Sequence, residues 1–103
     1  MVFTQNQGGR AMSAPVTIGI IGDYNPDFES HRATGTAIQL AAKAAGVVAA
    51  VTWVPTPEVN ASPEILQPYD GLWGGSGSPY KSFDGMLAGI RFARERGKPF
   101  VAT

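Results

Sequence analysis

Val16-Thr17-Ile18-Gly19-Ile20-Ile21-Gly22, followed by Asp23-Tyr24-Asn25-Pro26-Asp27-Phe28, decides how the rest of the chain is read. The first run is short, β-branched, apolar on both faces and closed by glycine, the pattern of a strand buried inside a parallel sheet. The second is a turn, because Pro26 fixes φ and the Asx side chains bond to nearby backbone. Residues 30–45 follow, rich in alanine, with Ala37, Ile38, Ala41 and Ala44 at helical spacing and Gly46 as the stop. Residues 47–54 predict a second strand, ended by Pro55 and Pro57. Ser62-Pro63-Glu64 predicts an N-cap with proline at the first position of a short helical turn.

Tyr69-Asp70-Gly71-Leu72-Trp73 predicts a third strand, and Gly74-Gly75-Ser76-Gly77-Ser78-Pro79 a glycine-rich loop. Ser82 or Asp84 caps the next helix, with Met86, Leu87, Ile90 and Ala93 as its buried stripe and Arg91, Arg94, Glu95 and Arg96 on its wet side. Gly97 and Pro99 end it, and Pro99-Phe100-Val101-Ala102 opens a fourth strand. Strand, helix, strand, strand, helix, strand is the opening of a doubly wound, flavodoxin-like parallel sheet. Such sheets bind ligands beyond the carboxyl ends of their strands, which is where residues 23–28 and 74–80 fall. A fourth strand with no helix to cover it leads to the expectation of a domain truncated at its C-terminus.

Composition narrows the function classes. The chain has 103 residues, of which 44% are hydrophobic, enough for one packed α/β domain. Eight basic residues balance eight acidic ones, so nothing draws the chain to nucleic acid or anionic lipid. It has no cysteine, which excludes disulfides, thiolate metal sites and a cysteine nucleophile in this sequence. Lys43, Thr52 and Pro55 break the apolar runs well short of the roughly 20 residues of a membrane span. Residues 1–15 are polar and glycine-rich, without the charged and apolar regions of a signal peptide, and read as a disordered leader before a domain at 16–103. A cytoplasmic location is expected, with no cofactor, no metal and no membrane or nucleic-acid partner; the oligomeric state stays open.

Successive glycines after a strand let backbone N–H groups converge on one cavity, which binds phosphate or stabilises an oxyanion. A plain strand-to-helix turn is the alternative reading of the same loop. It is not a Walker A loop, since no Gly-Lys-Ser/Thr follows, and Gly19-Ile20-Ile21-Gly22 lacks the third glycine of a dinucleotide fingerprint.

The order of the blocks resembles a known family. Ile18-Gly19-Ile20-Ile21-Gly22-Asp23-Tyr24, Asp70-Gly71-Leu72-Trp73, the glycine loop, Asp84-Gly85, Ile90-Arg91-Phe92-Ala93-Arg94-Glu95 and Pro99-Phe100 are similar to the first half of the class I glutamine amidotransferase domain of CTP synthase. Gly22-Asp23-Tyr24-Asn25-Pro26, His31-Arg32-Ala33-Thr34, Tyr69-Asp70-Gly71-Leu72-Trp73 and Gly77-Ser78-Pro79-Tyr80 resemble more closely a stand-alone family, related to the C-terminal region of CTP synthase, that includes selenoproteins.

The resemblance implies a parent that hydrolyses glutamine to glutamate and ammonia in pyrimidine nucleotide biosynthesis. Its nucleophile would follow Thr103 at the strand-to-helix elbow, with a histidine and a glutamate further on. None of these is in the chain, so no catalytic residue is assigned and the chain alone is expected to be inactive. The resemblance carries an oxyanion loop onto Gly75, Ser76 and Gly77, where Ser76 replaces a family glycine. An in-frame UGA read as stop, a lost gene fragment and a cloning boundary remain open as reasons for the end point.

Asp23, Tyr24, His31 and Tyr80 are candidate ligand-edge residues by position. His31, the single histidine, otherwise reads as a cap or surface residue at a helix start. Asp23, Asp27 and Glu29 match no metal-loop spacing, and Trp53 and Trp73 read as packing at strand ends. Glutamine or a related small molecule is the expected partner of the intact parent, and a non-catalytic phosphate-binding module is the alternative.

Overall fold

The computed structural model describes residues 15–77 and 80–102. The expected leader, Ser78 and Pro79 of the glycine loop, and Thr103 lie outside the described residues, apart from Pro15. The elements run β1 (Val16–Ile21), α1 (Glu29–Ala45), β2 (Ala49–Val54), α2 (Thr56–Ala61), a 3-10 turn (Pro63–Leu66), β3 (Gly71–Gly74), α3 (Phe83–Arg96) and β4 (Phe100–Ala102). The four strands form one all-parallel sheet in the order β2-β1-β3-β4. The chain is therefore an α/β protein.

Alternation along β1 sends side chains to both faces of the sheet. Val16, Ile18 and Ile20 join Ala49, Trp73 and the α1 residues Ile38 and Ala42 in one apolar cluster. Ile21 joins Val54, Leu72, Val59 of α2 and Met86, Phe92 and Ala93 of α3 in the other. The indole Nε1 of Trp73 is buried without a hydrogen-bond partner among the described residues. Register is pinned at the amino edge of the sheet. The Thr17 N–H and hydroxyl both donate to Asp70 Oδ2, at 2.8 and 3.1 Å, and the Asp70 N–H donates back to Thr17 O at 2.8 Å. This exchange sets Ile18 opposite Gly71.

Three local expectations are corrected. First, Pro55 and Pro57 end the strand but also begin a helix. Pro55 is the N-cap of α2 and Pro57 sits in its first turn, where a fixed φ favours the helix and no N–H is needed. Ser62 precedes the 3-10 turn, as its Ser-Pro pair suggests, but its side chain forms no capping bond. Second, the buried stripe of α1 is His31, Thr34, Ile38 and Ala42, while Ala37 and Ala44 face solvent.

Third, α3 buries Gly85, Met86, Gly89, Phe92 and Ala93, leaving Leu87 and Ile90 43% and 38% exposed. Close approach explains the rotation. A Cβ on Gly85 would lie 1.9 Å from Thr56 O, and one on Gly89 would lie 2.5 Å from Ile21 Cδ1. The two glycines let α3 seat against α2 and β1, and that seat turns Leu87 and Ile90 outward. The stops at Gly46 and Gly97 are as read, with φ of 74° and 67° in the left-handed region. Of the two candidate caps on α3, Ser82 is the cap, its hydroxyl accepting from Gly85 N–H at 3.0 Å. No helix among the described residues is long and apolar enough to cross a membrane.

Candidate functional site

The carboxyl edge of β1 delivers two polar side chains, and they go to different places. Asp23 follows Gly22 directly after β1. Its Oδ1 accepts the Thr56 N–H at 2.9 Å. Its Oδ2 accepts the Thr56 hydroxyl at 2.8 Å and the Lys81 N–H at 2.9 Å. Thr56 Oγ1 in turn accepts the Ser82 N–H at 2.9 Å. A chain of hydrogen bonds thus runs from β1 through the first residue of α2 to the cap of α3. Burial alone would raise the Asp23 carboxyl; the Lys81 N–H, the Thr56 hydroxyl and N–H, and the Lys81 charge outweigh it and hold the group below its ordinary value.

His31 lies in the first turns of α1 and is 2% exposed. It is a buried residue, not the surface or capping histidine of the simpler expectation. Its Nδ1 accepts the Asn25 N–H at 2.9 Å, so the ring proton sits on Nε2, which donates to Ser76 O at 2.6 Å. Trp53 packs on the ring with centroids 4.8 Å apart, and Phe28 meets it edge-on at 5.1 Å. Tyr24 stacks at 6.0 Å, contacts Trp53 at 5.1 Å and keeps 49% of its surface exposed. The turn before α1 is stiffened locally: Asn25 Oδ1 accepts the Asp27 N–H at 2.9 Å, and Arg32 Nη1 donates to Pro26 O.

The glycine loop leaves β3 beside these groups. The Gly75 N–H continues the sheet ladder to Ile21 O at 2.9 Å, and Gly75 O accepts the Tyr80 hydroxyl at 2.7 Å. The Ser76 hydroxyl donates to Ser30 Oγ at 3.0 Å. Gly74, Gly75, Ser76 and Gly77 all have negative φ or extended backbone, outside the left-handed region. Serine at position 76 therefore needs no left-handed backbone. Position 75 is crowded instead: a Cβ there would stand 3.0 Å from Trp53 and 3.2 Å from Ile20, so these side chains would have to give by a few tenths of an ångström.

Of the candidate residues, His31, Tyr80, Gly75, Ser76 and Gly77 come together in one contact network, with Tyr24 at its exposed rim. Asp23 belongs to a neighbouring network in the frame. Thr56, Ser30 and Trp53 complete the two networks and were not singled out as site residues from sequence. A signal for burial of His31 was present, since it stands seven residues before Ile38 and eleven before Ala42 and so shares their helical face. After these bonds are assigned, the Ser76 and Gly77 N–H groups have no partner among the described residues. Two adjacent backbone donors left without a partner among the described residues, at the carboxyl edge of a parallel strand, can bind an anion or a developing negative charge. Among the described residues no group of three or more His, Cys, Asp or Glu side chains could hold a metal ion.

Comparison with known proteins finds similarity to CTP synthases. The CTP synthase of Acidobacterium capsulatum is 32% identical over 87 residues, covering 82% of this chain and 16% of that protein. The chain is similar to CTP synthase over most of its length. The CTP synthase of Pelotomaculum thermopropionicum is 30% identical over 86 residues, and that of Encephalitozoon cuniculi 28% identical over 93 residues. The chain spans about a sixth of the length of these curated relatives, 16–17% of each. No family model matches it. The likeness to CTP synthase and the all-parallel sheet together describe a CTP synthase-related α/β chain.

Proposed function

We infer that this chain supplies the oxyanion-binding side of a glutamine amidotransferase-type site, whose complete form hydrolyses glutamine to glutamate and ammonia. The observation that carries the reading is the pair of N–H donors at Ser76 and Gly77, which have no partner among the described residues, set at the carboxyl edge of β3 in a chain similar to CTP synthase. In amide hydrolysis the carbonyl oxygen gains charge as the tetrahedral intermediate forms, and two fixed N–H donors stabilise that charge. The flavodoxin-like assignment belongs to the same reading, because the order β2-β1-β3-β4 matches the first four positions of that arrangement.

Chemistry needs a nucleophile and a base as well. The chain has no cysteine, and its single histidine has both ring nitrogens engaged with Asn25 and Ser76. The chain by itself therefore binds without turning over. Tyr24, half-exposed beside the network, forms the rim where a substrate side chain enters.

Titration of the 15N-labelled chain with L-glutamine and, separately, with inorganic phosphate tests this reading, with ammonia release assayed in parallel. Glutamine-dependent shifts of the Ser76 and Gly77 amides without ammonia release are expected. Shifts with phosphate alone favour the non-catalytic binding module. Ammonia release by the pure chain overturns the assignment of catalysis to residues outside it.

A further inference from the structure

A trans peptide unit is planar, and its C=O and N–H point in opposite directions. Whatever fixes the carbonyl therefore fixes the donor on the other side of the same plane. In the glycine loop the Gly75 and Ser76 carbonyls are fixed by side chains from elsewhere in the chain. Tyr80 Oη donates to Gly75 O at 2.7 Å, which orients the Gly75–Ser76 plane and with it the Ser76 N–H. His31 Nε2 donates to Ser76 O at 2.6 Å, which orients the Ser76–Gly77 plane and with it the Gly77 N–H.

Each anchor is itself packed against other residues. His31 is held at Nδ1 by the Asn25 N–H, and its ring is packed by Trp53 and, in a T-shaped contact, by Phe28. Tyr80 lies so close to the loop that a Cβ on Gly77 would be 3.1 Å from its ring. The loop is thus clamped from α1 on one side and from the segment leading into α3 on the other.

We propose that His31 and Tyr80 are positioning residues that separately aim the two donors of the loop, His31 the Gly77 N–H and Tyr80 the Ser76 N–H. The proposal rests on the anion-binding reading for its purpose, but its geometry can be examined without any ligand. A rigid pair of donors suits charge stabilisation because no reorganisation is needed as charge develops.

The test is 15N relaxation on the full chain for wild type, His31→Leu, His31→Gln and Tyr80→Phe, followed by titration with inorganic phosphate and with L-glutamine. Leucine keeps an apolar side chain against Trp53 but donates nothing, whereas the glutamine amide can still reach Ser76 O. In His31→Leu the Gly77 amide order parameter is expected to fall from about 0.85 towards about 0.6, with Ser76 changing less. His31→Gln should restore most of it, and Tyr80→Phe should loosen Ser76 more than Gly77.

Unchanged order parameters at both amides in His31→Leu and Tyr80→Phe overturn the proposal, as does equal loosening of both amides in each variant. If His31→Leu does not fold, the Tyr80→Phe and His31→Gln results decide alone. Selective loosening in a chain whose wild type binds neither probe upholds the positioning roles and removes the anion-binding reading instead.

Discussion

Asp23 and His31 both stand at the carboxyl edge of β1, eight residues apart, yet they serve different parts of the molecule. Asp23 collects three donors from the frame: the N–H and hydroxyl of Thr56 and the N–H of Lys81. It fixes where α2 and α3 begin. His31 reaches instead to the backbone of the glycine loop and to the turn before its own helix. One group is foundation and the other sets the shape of a candidate binding surface. At the ligand edge of a parallel sheet, position alone does not separate these roles; the partners of each polar atom do.

The contrast can be broken most severely on the frame side. Gly85→Ala would place a Cβ 1.9 Å from Thr56 O. Because the obstacle is backbone, α3 must move away from α2, and a loss of about 3 kcal/mol or more is expected in urea unfolding. A near-neutral result would mean that the seat of α3 on Thr56 is not tight.

Asp23→Ala comes next. It leaves three donors at the junction without their acceptor, and a loss of about 2–3 kcal/mol is expected in the same measurement. Asp23→Asn should cost less, since the amide oxygen retains part of the acceptor set. His31→Leu should cost about 1–2 kcal/mol, because it strips the Asn25 N–H and Ser76 O of partners while preserving apolar packing. If His31→Leu proves as damaging as Asp23→Ala, the division between frame and loop does not hold.

The smallest effect is in pH dependence. The Asp23 carboxyl titrates below its ordinary value of 3.8 in the folded chain. The unfolded chain therefore binds the proton first as pH falls, and stability rises with pH across this window. The contribution is complete above the ordinary value and disappears as pH drops through the folded value. Acid titration of wild type against Asp23→Asn should show a shallower slope below about pH 4 in the variant.

Much of the frame was legible in the sequence, for local reasons. β1 reads directly from its β-branched run, and Gly46, Gly97 and Ser82 mark helix ends because caps are made by neighbours in sequence. α2 was not legible, since Pro55 and Pro57 read as terminators although proline also suits a first helical turn. The face of α3 was misjudged because apolar spacing gives glycine no weight, while Gly85 and Gly89 set how closely the helix can approach. At the site, the loop and His31 were visible as positions. Their roles depend on partners 45 residues apart for His31 with Ser76, and 33 and 58 apart for Asp23 with Thr56 and Lys81. Nothing local encodes those distances.

Native-state hydrogen exchange on Asp23→Ala and His31→Leu, compared residue by residue with wild type, tests the division between frame and loop most directly. Asp23→Ala should lose protection at Thr56, Lys81 and Ser82 and through the first turns of α2 and α3, while the Asn25 amide stays protected. His31→Leu should lose protection at the Asn25 amide, whose acceptor it removes, with α2 and α3 unchanged. The same pattern of loss in both variants would show that the two groups stabilise one undivided structure, and the separate roles assigned to them would be wrong.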